Sequence, residues 1–107
     1  MKFQDLTKTD KSILLYMETR IVDFGGFLDG NKMNQADLES AHFFKTSGVI
    51  EFGRIPAKLL EAAKPSTYWV TFTNEAWELA HALRRERSLR PSPARQVLDE
   101  YLTASNA

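Results

Sequence analysis

The chain of 107 residues contains no cysteine, only five glycines and four prolines, and no long uninterrupted apolar run. The lack of cysteine excludes a disulfide framework, a thiolate nucleophile and a zinc site built on thiolates. No stretch approaches the about 18 consecutive apolar residues that indicate a membrane span, and the first residues lack the apolar segment of a secretory signal. These absences predict a soluble cytoplasmic protein with no membrane partner.

An excess of charge of either sign is also absent, because 14 basic residues are balanced by 14 acidic residues. The charges are nevertheless unevenly distributed along the chain. Residues 1–53 carry six basic and eight acidic side chains, residues 54–95 carry eight basic and four acidic ones, and residues 96–107 carry only two acidic ones. Because a basic surface attracts nucleic acid, a DNA partner is not excluded, and its phosphate contacts are expected from the second half of the chain.

Motifs with a catalytic mechanism are scarce. His42 and His81 are far apart in sequence and neither belongs to an HExxH pair. The run 48–55 has the glycine spacing of a phosphate loop, but it lacks the lysine and the following serine or threonine that would contact phosphates and magnesium. We therefore expect no enzymatic activity, no bound metal and no cofactor.

The sequence does contain a hydrophobic core for one domain, with 43% hydrophobic residues that include seven Phe, three Tyr and two Trp. Hydrophobic periodicity and turn residues predict helices, strands and their capping residues along the whole chain. The helices are expected at 9–22, 35–46, 57–63 and 74–88 and from Pro93 onward; the strands at 27–28, 49–52 and 68–73; and the N-caps at Thr9, Asn34, Asn74 and Ser92. This order predicts an α+β fold.

Two groups of cations are candidates for phosphate contacts. Arg54, Lys58 and Lys64 precede or lie in the connection between two predicted strands, where they can follow a phosphate backbone. The second group lies near the end of a helix, where arginines either bind phosphate or only complement the helix dipole. That group comprises Arg84, Arg85, Arg87 and Arg90.

The predicted helix 35–46 has a polar arc that includes Glu39 and Thr46. Such an arc either reads base edges through hydrogen bonds or is only the solvent-exposed side of the helix. If the arc reads base edges and the cations bind phosphate, the candidate DNA-binding residues of the chain are Gln35, His42, Lys45, Arg54, Lys58, Lys64, Arg84, Arg85 and Arg87.

Two short motifs flank the predicted long strands. Residues 44–50 (FKTSGVI) lead from a helix into the strand 49–52, and residues 69–77 (WVTFTNEAW) lead from the strand 68–73 into the next helix. With these motifs, the order of elements resembles the winged-helix domain of bacterial transcription regulators, most nearly the multiple-antibiotic-resistance-repressor type. The resemblance implies a small winged-helix-like domain over residues 1–90, with three to five helices and a two- or three-stranded antiparallel wing sheet, followed by a C-terminal amphipathic helix and tail over 91–107. It also implies a non-catalytic DNA-binding function in transcription regulation.

The chain departs from that pattern in the region that should read DNA. Only one clear helix fits between Gly30 and Gly48, where the family has two, and Ala76 replaces a glycine that is typical of the family. The candidate recognition helix also carries Asp37 and Glu39, which oppose phosphate approach. The alternative is therefore a protein-interaction or inhibitor module of the phage or mobile-element type, which binds a host protein complex through a winged-helix-like scaffold.

Aromatic and C-terminal apolar residues are the candidates for a protein interface. Trp69 and Trp77 belong either to the core or to an interface, where tryptophan is a favoured anchor. The last predicted helix is too short to be stable alone in water, so its apolar face must pack on something. That face either folds back on the core or forms a homodimer or partner interface, through Val97, Leu98, Tyr101 and Leu102.

Overall fold

The computed structural model describes residues 1–90 and 92–105. These residues form five α-helices and a three-stranded antiparallel sheet, in the order α1 Lys8–Phe24, β1 Phe27–Leu28, α2 Gln35–Thr46, β2 Ile50–Arg54, α3 Leu60–Ala63, β3 Tyr68–Phe72, α4 Asn74–Ser88 and α5 Pro93–Ser105. The α+β class and the small winged-helix-like arrangement predicted from the sequence are therefore confirmed.

The first helix begins earlier and ends later than its hydrophobic pattern predicts. Its N-cap is Thr7 rather than Thr9, because the Thr7 hydroxyl accepts the Asp10 N–H at 3.0 Å and the Asp10 carboxylate accepts the Thr7 N–H at 3.0 Å. This reciprocal pair satisfies two of the donors that a helix N-terminus leaves free. The helix ends at Gly25, whose φ of 70° is a left-handed conformation that glycine adopts without strain.

The cap of α4 also shifts by one residue from the prediction. Thr73, rather than Asn74, accepts the Ala76 N–H at 3.3 Å, and the same hydroxyl donates to the Val49 carbonyl at 2.6 Å. The cap of α2 is confirmed at Asn34, and that of α5 at Ser92, whose hydroxyl accepts the Arg95 N–H at 3.2 Å. Thr73 therefore ties the start of α4 to Val49, the residue that directly precedes β2.

The segment between β1 and α2 holds only a single 3-10 turn, Gly30–Lys32. The Asp29 carboxylate caps this turn by accepting the Asn31 N–H at 2.9 Å. The expectation that one clear helix fits between Gly30 and Gly48 is confirmed, because α2 is the one α-helix between β1 and β2.

The strand order is β1-β3-β2, so the short β1 and the longer β2 flank β3. Phe27, Trp69 and Gly53 form one row across the sheet, and Leu28, Tyr68 and Arg54 form the next. β2 begins one residue later and ends two residues later than predicted from the sequence. β3 begins at the predicted residue and ends one residue earlier than predicted. Between β2 and β3, the predicted helix 57–63 is a 3-10 turn, Ala57–Leu59, that continues into α3. We call residues 55–67 the wing.

The core lies between one face of the sheet and α1, α2 and α4. Its largest fully buried side chains include Phe44, Leu14, Met17 and Leu83. Every buried hydrophobic residue lies between Leu6 and Leu83, whereas every described residue of α5 is exposed. None of the helices in the described part of the chain combines the length and apolar character required to cross a membrane.

Candidate functional site

The outer side of α2 presents the polar residues expected from its pattern. Gln35, His42 and Lys45 are exposed, while Ser40 and Phe44 on the opposite side are buried. The three exposed residues share one side because they are spaced by seven and three positions along the helix. Gln35 donates from its amide to the Glu39 carboxylate at 3.4 Å, so an acidic group lies among the candidate base-reading side chains.

An aromatic stack connects α2 to the end of β2. The His42 ring meets the Phe52 ring edge-on at 5.6 Å, and Phe52 stacks on Tyr68 with 5.2 Å between ring centroids. The Arg54 guanidinium lies 5.8 Å from the centroid of the Tyr68 ring, within the range of a cation–π contact. These contacts link His42 on α2 to Arg54 through the buried Phe52 ring. We call Gln35, His42, Lys45 and Arg54, the last of which directly precedes the wing, the α2–wing face.

The other two candidate cations of this region lie in or next to α3. Lys58 is exposed in the 3-10 turn, and none of the described residues forms an ion pair with it. Lys64 lies 2.9 Å from the Glu61 carboxylate in a pair that is open to solvent. Such an exposed pair contributes little to stability, so Lys64 remains able to exchange its partner.

Arg84 has a structural role within the fold. Its Nε donates to the Glu18 carboxylate at 2.7 Å and its Nη2 donates to the Thr19 hydroxyl at 3.2 Å. Glu18 is buried, so the arginine neutralises a carboxylate that solvent reaches poorly and joins α4 to α1. The DNA contact predicted for Arg84 competes with this intramolecular pair.

The arginines at the end of α4 do not share a surface with the wing. Lys11, in the first turns of α1, lies 3.4 Å from Glu86, which fixes the end of α4 at the start of α1. The wing lies at the other end of α1, where β1 pairs with Trp69. Because α1 rises about 20 Å between these two places, at about 1.5 Å per residue, Arg85 and Arg87 are separated from the wing and from Arg54. This separation does not extend to α2, which packs beside the start of α1, where the Ser40 hydroxyl donates to the Asp10 carboxylate at 2.7 Å.

An apolar cleft on the outer face of the sheet was not expected from the sequence. Its volume is about 350 Å³, and it lies between the sheet and the wing. Trp69 forms part of it because Gly53 lies directly opposite: a Cβ on Gly53 would be 3.0 Å from the indole ring. The residues that line this outer cleft are Phe27, Ile55, Pro56, Leu59, Ala62, Ala63 and Trp69. Only strand register reveals the pairing of Gly53 with Trp69, so sequence patterns give no signal for the cleft.

The two tryptophans thus have different environments. Trp77 is half-buried on α4 and meets the partly buried Phe72 edge-on at 5.1 Å. Trp69 lines the outer cleft instead, on the face of the sheet away from α1, α2 and α4. Tryptophan in an apolar cleft is a typical interface anchor, and the interface alternative for Trp69 stays a prediction.

No group of three His, Asp or Glu side chains within residues 1–90 and 92–105 is arranged to hold a metal ion. The two histidines lie on different helices, and each contacts an aromatic ring. His42 on α2 contacts Phe52, and the ring of His81 on α4 lies 6.2 Å from that of Trp77, measured between ring centroids. Among the described residues, every buried side-chain nitrogen and oxygen has a hydrogen-bond partner.

The predicted interface on α5 is free in the single chain. Val97, Leu98, Tyr101 and Leu102 are all exposed, so the alternative in which this helix folds back on the core is not observed. Comparison of the chain with protein-family models, with curated proteins and with solved structures returned no match.

Proposed function

We propose that this chain is a non-catalytic DNA-binding protein, with a winged-helix domain similar to those of bacterial transcription regulators. The observation that carries the proposal is the α2–wing face, in which candidate base-reading side chains on α2 are linked to the cation Arg54 through the rings of His42, Phe52 and Tyr68. In the proposed complex Gln35 and His42 hydrogen-bond to base edges, while Lys45 and Arg54 contact phosphate. The proposed location is the cytoplasm.

The local charge limits the affinity that this surface can supply. Lys45 and Arg54 add positive charge to the α2–wing face, but Asp37, Glu39 and Glu51 lie on the same elements. Affinity for DNA without sequence specificity depends on the number of phosphates neutralised, and few cations are available here. We therefore expect weak binding to random DNA and a shallow dependence on salt, because each neutralised phosphate contributes only about 0.9 to the slope of log K against log salt.

The proposal is tested by fluorescence anisotropy with a labelled 30-bp duplex of mixed sequence between 50 and 300 mM salt. The double variant Lys45→Gln/Arg54→Gln is expected to weaken binding and to reduce the slope of log K against log salt by about 1.8, since each lost phosphate contact contributes about 0.9. The matched control is Arg85→Gln/Arg87→Gln, which removes the same charge from the end of α4. Absence of binding at 50 mM salt, or an equal loss in both variants, would refute the proposal.

A second candidate function is binding and inhibition of a host protein complex, as in interaction modules of phage and mobile elements. The specific observation in its favour is Phe43, an exposed aromatic side chain of α2 that lies one helical turn from the exposed Glu39. A protein partner tolerates this mixture of apolar and acidic groups better than a phosphate backbone does.

The two functions are distinguished by a single substitution on α2. Phe43→Ser is expected to abolish capture of a nuclease-resistant host complex while leaving DNA affinity nearly unchanged, because the side chain bears no charge. Phe24→Ser, at another exposed phenylalanine, is the control. Capture that disappears after nuclease treatment would count against the protein partner.

A further inference from the structure

One edge of the sheet is covered by α1 and the other is open. At the β1 edge, Nε of Arg20 on α1 donates to the Phe27 carbonyl at 2.6 Å. At the other edge, β2 pairs with β3 and with no further strand among the described residues. An open sheet edge is a template for another strand, so this sheet can be extended at β2.

The open backbone groups of β2 belong to alternate residues, because antiparallel neighbours exchange hydrogen bonds at every second residue. The Val49 carbonyl accepts the Thr73 N–H and the Ile55 N–H donates to the Thr67 carbonyl, so the odd-numbered residues face β3. The even-numbered residues face the open edge, where their N–H and C=O groups have no partner within residues 1–90 and 92–105. These residues are Ile50, Phe52 and Arg54. Only another extended backbone matches this alternation of donors and acceptors.

The strand β2 is complementary to a second copy of itself in one antiparallel register. When Phe52 lies opposite Phe52 of the second copy, every residue of β2 is paired, and Glu51 lies opposite Gly53. A shift of the register to either side leaves residues of both strands unpaired. In one direction it also places the two Glu51 carboxylates opposite each other, where like charges repel. The centred register is therefore the favoured one.

Gly53 and Trp69 leave room and a hydrogen-bond donor for the Glu51 side chain of the second copy. A Cβ on Gly53 would lie 3.0 Å from Nε1 of Trp69, so the indole N–H lies over the glycine, on the outer face of the sheet. This N–H donates to none of the described residues. In the centred register, Gly53 and Glu51 of the second copy form a pair with Cα atoms about 4.5 Å apart and with Glu51 on the same face. Its carboxylate therefore comes within reach of the indole N–H, and the glycine has no Cβ to block it.

We propose that β2 pairs with β2 of a second copy of this chain, so that the two sheets join into one continuous antiparallel sheet. The two-fold axis passes between the two Phe52 residues, and each Glu51 carboxylate accepts the Trp69 indole N–H of the other copy. Because two five-residue strands form only a small interface, the dimer is weak, with a dissociation constant of about 0.1–1 mM. This self-association is independent of DNA binding, and it leaves the apolar side of α5 uncovered.

Amide hydrogen exchange of the full chain, followed by NMR at about 20 μM and about 1 mM, tests which surface is covered. The amides of Ile50, Phe52 and Arg54 are expected to exchange about two- to fourfold more slowly at the higher concentration, because the monomer fraction falls by that factor for a dissociation constant of about 0.1–1 mM. The amides of α5 are the reference and should not change. Edge amides with the same rate at both concentrations, or slower exchange in α5 instead, would overturn the proposal.

A pair of variants at Arg54 tests the backbone contact by sedimentation equilibrium up to about 1 mM. Arg54→Pro removes an N–H that faces the open edge and breaks no hydrogen bond to β3, so the edge strand tolerates it. It is expected to raise the dissociation constant about tenfold or more, since the contact is lost twice in the dimer. Arg54→Gln also removes the cation but keeps the N–H, and should change the constant less than about threefold. Equal effects of the two substitutions, or a chain that is monomeric at 1 mM, would refute the pairing.

A second pair of variants tests the side-chain contact. Glu51→Lys lacks an acceptor for the Trp69 indole N–H and is expected to raise the dissociation constant about tenfold or more, whereas Glu51→Gln keeps an acceptor oxygen and should stay within about threefold. Asp23→Lys makes the same charge reversal at an exposed residue of α1, away from β2, and is the control. A dimer that Glu51→Lys weakens no more than Asp23→Lys does would contradict the register.

Discussion

Replacing Arg84 with methionine removes the cation that neutralises the buried Glu18 carboxylate. Nε of Arg84 donates to this carboxylate at 2.7 Å, and the pair joins α4 to α1. Methionine retains much of the length of the arginine stem, so packing changes little while the charge and the donors are lost. The variant therefore reports on the ion pair rather than on a cavity.

The magnitude follows from the exposure of the two side chains, 11% for Glu18 and 49% for Arg84. Breaking a fully buried pair costs about 3–5 kcal/mol, whereas a fully exposed pair contributes less than about 1 kcal/mol. Solvent reaches the arginine side of this pair and not the carboxylate side. We expect a loss of about 1.5–2 kcal/mol, which matches the contribution of hydrogen bonds to charged groups.

Urea denaturation followed by tryptophan fluorescence measures this loss as a lower midpoint at an unchanged slope. Arg85→Met is the matched control, because the neighbouring arginine is exposed and pairs with none of the described acids. The double variant with Glu18→Gln closes a thermodynamic cycle, in which the coupling between the two residues is expected to be about 1 kcal/mol.

Two results would refute this reasoning. The first is an Arg84→Met variant as stable as Arg85→Met, because the ion pair would then contribute nothing. The second is a cycle with no coupling, because the loss would then come from the methionine itself rather than from the separation of the pair.

Three further predictions concern the core, a helix cap and the C-terminal helix. Phe44→Ala, at a fully buried residue of α2, should lower the free energy of unfolding by about 3–5 kcal/mol in urea denaturation. Thr73→Val should lower it by about 1–2 kcal/mol, since two hydrogen bonds at the start of α4 are lost, while Thr71→Val on the exposed sheet face should have little effect. A chain that ends at Arg90 should melt within about 3 °C of the full chain at low micromolar concentration, because no described residue of α5 is buried; a larger drop in calorimetry contradicts this.

Helices and strands with strong local signals were predicted from the sequence. α2 has the predicted bounds, and the N-caps Asn34 and Ser92 are confirmed, because polar caps and hydrophobic spacing are local properties of the chain. The caps of α1 and α4 were misplaced where two polar residues lie close together, as Thr73 and Asn74 do. Thr73 is the cap because its hydroxyl also reaches the Val49 carbonyl, a contact across 24 positions of sequence.

The candidate site was predicted only in part, since its residues come from distant segments. The polar arc of α2 could be read from helical spacing, but its connection to Arg54 passes through Phe52 and Tyr68, which meet only in the folded sheet. The α4 arginines looked equivalent in sequence, yet Arg84 pairs with Glu18 across 66 positions. Charge counts along a chain do not contain this information.

The sequence by itself determined the α+β class, the positions of the main elements and the uneven distribution of charge, because each depends on residues within one helix or strand. Only the tertiary structure decided which arginine of α4 pairs with a buried acid, which tryptophan lines an apolar cleft and where that cleft opens. These properties depend on strand register, in which Gly53 meets Trp69, and on the packing of α4 along α1. Both arise from contacts between segments far apart in the chain, which hydrophobic periodicity does not encode.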